Sequence, residues 1–64
     1  MSTVSELQVQ LETMEAWRVA LADEIKSPEF DALASSLREY MRLQHHWLAS
    51  VIDALTRRIA LLQG

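Results

Sequence analysis

Residues 24–32 read Glu24-Ile25-Lys26-Ser27-Pro28-Glu29-Phe30-Asp31-Ala32, and they hold the chain's single proline. A serine hydroxyl accepts from the orphan N–H groups at a helix start. Proline tolerates the first helical position, and glutamate favours the positive helix end. Lys26 sits just before, where a cation suits the negative end of a preceding helix. The segment predicts a helix, a tight turn at residue 27 and a second helix, with Ser27 capping the N–H groups of Glu29 or Phe30.

Toward the N-terminus, Thr3 with Glu6 and Ser5 with Gln8 both have capping-box spacing, and in the second case Val4 could staple onto Val9. Leu7, Leu11, Met14, Leu21 and Ile25 then recur at steps of three, four and seven, one stripe of a helix. Arg18 interrupts the stripe and Trp17 lies beside it. Helix 1 is expected over about residues 5–26.

Toward the C-terminus, no Gly, Pro or Asn intervenes between Pro28 and Gly64. Phe30, Leu33, Leu37, Met41, Leu48, Val51, Ile52, Leu55, Ile59 and Leu62 continue the helical spacing, with Tyr40 and Trp47 widening one edge. Helix 2 is expected over about residues 28–62. Its apolar arc is wider than one neighbouring helix covers, so it calls for more than one partner surface. The fold class is therefore all-α: one domain over residues 1–64, an antiparallel hairpin of a short and a long helix.

A tight fold at Ser27 sets Leu21 near Phe30 and Leu33, Met14 near Tyr40 and Met41, and Leu7 near Leu48. Helix 1 is then used up near Val51, leaving Ile52, Leu55, Ile59 and Leu62 bare. These four, with Val51, Trp47 and Leu48, are the expected interface of a twofold homodimer forming a four-helix bundle. Trp17, Tyr40 and Arg18 form a second candidate patch for a protein partner whose identity the sequence does not give.

Composition narrows the function classes. The chain has 64 residues, half of them apolar, a net charge of −3 and no Cys, so disulfide and thiol chemistry are excluded. Ten Leu, four Val and three Ile are more than a disordered chain carries. No apolar run reaches membrane-span length, and the start lacks the layout of a signal peptide; no membrane association and a cytoplasmic location are the expectations. Five acids oppose Arg18 and Lys26 in residues 1–26, while the rest of the chain is balanced. The basic residues of helix 2, Arg38, Arg42, Arg57 and Arg58, include one adjacent pair, too little for the basic stripe that phosphates demand. Nucleic-acid binding is the weaker alternative, as is a structural subunit of a larger assembly.

His45 and His46 are the first candidates for chemistry. Neighbours on a helix point about 100° apart, and positions three or four away hold Met41, Arg42, Ala49 and Ser50, so neither His has a second ligand. No metal and no cofactor are expected. Without a nucleophile–base pair or a glycine loop for phosphates, the chain reads as non-enzymatic. An adaptor, inhibitor or chaperone-like regulator is the expected role. The layout resembles two groups of small helical hairpins. One is the RNA-binding hairpins that pair into four-helix bundles, which share its length and its hairpin. The other is the co-chaperones of type III secretion needles, which share an acidic first helix, a Pro-containing turn and a longer apolar second helix. The resemblance implies a hairpin and no particular activity.

Overall fold

A computed structural model describes residues 3–64. It contains α1 (Val4–Lys26), a short 3-10 helix (Pro28–Ala32) and α2 (Ser35–Gln63), with no strand among the described residues. The two long helices pack against each other as a hairpin.

Of the two starts open to α1, the first is taken. The Glu6 amide donates to the Thr3 hydroxyl at 3.2 Å, and the Thr3 amide donates back to the Glu6 carboxylate at 3.3 Å, a complete capping box. Lys26 lies in the last turn, where its charge complements the helix dipole.

The turn differs from the sequence expectation. Ser27 does not cap the long helix. Its hydroxyl turns back and donates to the Glu24 carbonyl at 2.8 Å, closing the end of α1. The Phe30 amide then donates to the Ser27 carbonyl, and the Leu33 amide to the Phe30 carbonyl, each at 3.1 Å. These three-residue steps are a 3-10 turn, which the i, i+3 spacing of Phe30 and Leu33 suits as well as an α-helix would. Leu33 is extended, Ala34 is the N-cap, and α2 starts only at Ser35. The long helix therefore covers residues 35–63 rather than 28–62. Thr3→Ala is expected to cost about 0.5–2 kcal/mol in urea melts. Ser27→Ala, which removes a bond to the end of α1 rather than a helix N-cap, should cost less in the same series.

This turn resets the register of the hairpin. Phe30 is buried, and the Arg42 guanidinium lies over its ring, 5.1 Å from the centroid. The residues spent between the helices slide α2 along α1 by about two turns. Leu7, 0% exposed, packs against Leu55 and Ile59, with Val4, Leu11 and Met14 around them. The expected Leu7–Leu48 pairing is absent from that cluster. At 1.5 Å per residue the helices are roughly 34 and 44 Å long, so the mismatch is small. The whole molecule, 46 Å in its longest dimension, is hardly longer than α2. The bare overhang is thus corrected: Leu55 and Ile59 are core, Ile52 is half-buried, and Leu62 alone of the four is exposed. The helix runs unbroken through Gln44-His45-His46.

Candidate interaction surface

Two apolar stripes run along α2. The first faces α1 and contains Leu48, Leu55 and Ile59, all buried, flanked by the half-buried Met41 and Ile52. The second lies roughly 90° around the helix. It consists of Leu37, Gln44, Val51 and Arg58 alternating with Tyr40, Trp47, Ala54 and Leu61, at steps of three and four, and every one of these residues is exposed. That is a seven-residue repeat sustained over more than three heptads, the period that keeps one seam facing a partner helix.

The seam carries large side chains in water. Tyr40 is 69% exposed, Trp47 59%, Val51 44% and Leu61 83%, with Leu37, Leu43 and Leu62 also exposed. On α1, Trp17 is 56% exposed and belongs to the same side. It lines a shallow groove of about 230 Å³ with Ala20, Leu21 and Glu24 of α1 and with Gln44 and Leu48 of α2. Gln44 is common to the groove and the seam, which joins Trp17 to the seam. Val9 and Val19, exposed on other faces of α1, stand singly.

Of the residues expected at an interface, Val51, Trp47 and Leu62 are therefore exposed, Ile52 is half-buried, and Leu48, Leu55 and Ile59 are buried inside the hairpin. Tyr40 belongs to the seam and Trp17 flanks it. Arg18 is exposed and makes no ion pair among the described residues, so it reaches water rather than Glu15. Leu37, read as part of the apolar arc but not as interface, and Leu43 and Leu61, not singled out, are exposed as well. The signal for Leu37 and Leu61 is the second heptad stripe; Leu43 lies beside it.

Of the basic residues of α2, Arg38 and Arg42 are one turn apart on one face, Arg57 lies further round, and Arg58 is on the seam side. Arg42 sits over Phe30, Arg57 pairs with Asp53 at 3.0 Å, and Arg58 lies in the apolar seam. Arg38 is half-buried, with its Nε enclosed and without a hydrogen-bond partner among the described residues. On the side away from the seam, Arg42 and His45 line an open groove of about 310 Å³ with Ala22, Ile25 and Lys26. His46 is exposed, and no cluster of three or more His, Asp or Glu placed to hold a metal occurs among the described residues. No helix of the described residues is long and apolar enough to cross a membrane. Comparison with protein-family models, with curated proteins and with solved structures finds no match for this chain.

Proposed function

We propose that this chain is a non-enzymatic helical interaction module that works as a twofold dimer, its exposed seam covered in a four-helix bundle. The assembled bundle serves a protein partner as an adaptor, inhibitor or chaperone-like regulator. The observation that carries the reading is the continuous exposed seam on α2 together with Trp17. Monomers rarely leave a contiguous apolar surface of more than a few hundred Å² in water. Here three half-exposed aromatics and five aliphatic side chains offer roughly 700 Å² per chain, about what each partner contributes to a standard interface. A helix that packs on two neighbours carries two apolar stripes, and α2 carries two about 90° apart.

Both tryptophans of the chain lie on this surface, which makes intrinsic fluorescence the test. On dilution from millimolar to nanomolar, emission is expected to move from a blue-shifted, buried value to that of water-exposed indole while helicity is largely retained. Water-exposed emission unchanged over the whole range would contradict the reading.

A further inference from the structure

The seam is not symmetric along its length, and that asymmetry selects how a second copy lies on it. Its polar members are Gln44 and Arg58, its smallest is Ala54 and its largest is Trp47. In a parallel dimer in register, each residue meets itself. Arg58 would face Arg58, two indoles would compete for one layer, and Ala54 opposite Ala54 would leave a void. All three are unfavourable.

Resting on the dimer reading above, we infer that the two copies of α2 cross antiparallel, with the twofold axis at the level of Ala49. That register pairs Trp47 with Val51 of the other copy and Gln44 with Ala54, large against small in each layer. At the next layer out, the Arg58 guanidinium lies on the ring of Tyr40, where a cation over an aromatic face is attractive. The same stacking already occurs within the chain between Arg42 and Phe30. The outermost layer covers Leu61, 83% exposed, with Leu37. Sliding the copies by one heptad takes Arg58 out of the seam in one direction, and in the other moves it onto Trp47 while Leu37 and Tyr40 are uncovered. Full coverage of the seam together with the Arg58–Tyr40 contact sets the register, and Arg58 disfavours the parallel orientation.

Helix α1 supports the same axis independently. Leu7 lies against Leu55 and Ile59, while Leu21 shares a groove with Gln44 and Leu48. Interpolation between these levels places Ala49 opposite Trp17. The exposed aromatic of α1 therefore falls at the twofold axis, beside the two Trp47–Val51 layers. Large aromatics concentrated at the centre of a contact are the usual anatomy of a binding hot spot.

The chain has no cysteine, so engineered thiols report the geometry without background. Gln44→Cys and Ala54→Cys are mild exposed substitutions. After subunit exchange and mild oxidation, a mixture of the two variants is expected to give a disulfide-linked dimer, whereas neither alone does. Self-linking of Gln44→Cys alone would mean a parallel dimer. A wild-type dimer with no link in any sample would mean another register. Either result overturns the inference and leaves the dimer reading intact. A protein that stays monomeric at millimolar concentration, with no link formed, overturns both.

Discussion

Leu7→Ala is expected to leave the isolated hairpin largely unfolded. Leu7 is the most completely buried side chain described, and it sits between Leu55 and Ile59 of the opposite helix. Truncating such a leucine costs about 2–5 kcal/mol, through lost transfer energy and the cavity left behind. A domain of this size buries only about 60% of its unfolded surface and has little stability to lose. The register makes the prediction specific. In a double-mutant cycle, Leu7→Ala and Leu55→Ala should couple by about 0.5–3 kcal/mol, whereas Leu7→Ala and Leu48→Ala should be nearly additive. Coupling to Leu48 instead would restore the tight turn at Ser27 and the uncovered overhang.

The second large effect is on association. In the proposed dimer, Val51→Asp would set a carboxylate in the central layer of the seam, against the indole of the other copy's Trp47. Desolvating that charge without a partner costs several kcal/mol, enough to weaken a dimer by a factor of about a thousand or more. Val51 is 44% exposed in the hairpin, so the variant should keep its helicity. The contrast is with Leu55→Asp and Ile59→Asp. From sequence, Leu55 and Ile59 are expected at the interface, but the structure places both side chains in the core. The two variants are expected to unfold the chain itself. Glu12→Lys, on an exposed position of α1, should change neither property.

What the sequence made legible was decided by the strength of local signals. The Leu7-Leu11-Met14-Leu21 stripe and the Lys26-Ser27-Pro28 stop placed α1 to within a residue and made a hairpin legible, while the two capping-box spacings left its first residue open between Thr3 and Ser5. Ser27-Pro28 was ambiguous, because a proline at a first helical position starts a 3-10 turn as readily as an α-helix. The actual start of α2 has Ala34 at its cap and no side-chain cap bond, so nothing at that residue announces it. The neighbouring Ser36 with Glu39 has capping-box spacing and was the available clue. Misplacing this one boundary moved the register by about two turns and turned core residues into apparent overhang. The wide apolar arc of helix 2 resolves into a stripe that faces α1 and a second that is exposed. Which residues faced which neighbour depended on that register.

The central claim, that the seam of α2 is covered by a second copy, is tested most directly by light scattering after size exclusion, on wild type and Val51→Asp side by side. The account predicts a wild-type mass of twice 7.3 kDa at high concentration, falling on dilution, and a helical Val51→Asp variant at 7.3 kDa throughout. A well-folded wild type at 7.3 kDa at every concentration, with a melting temperature independent of concentration, would contradict it.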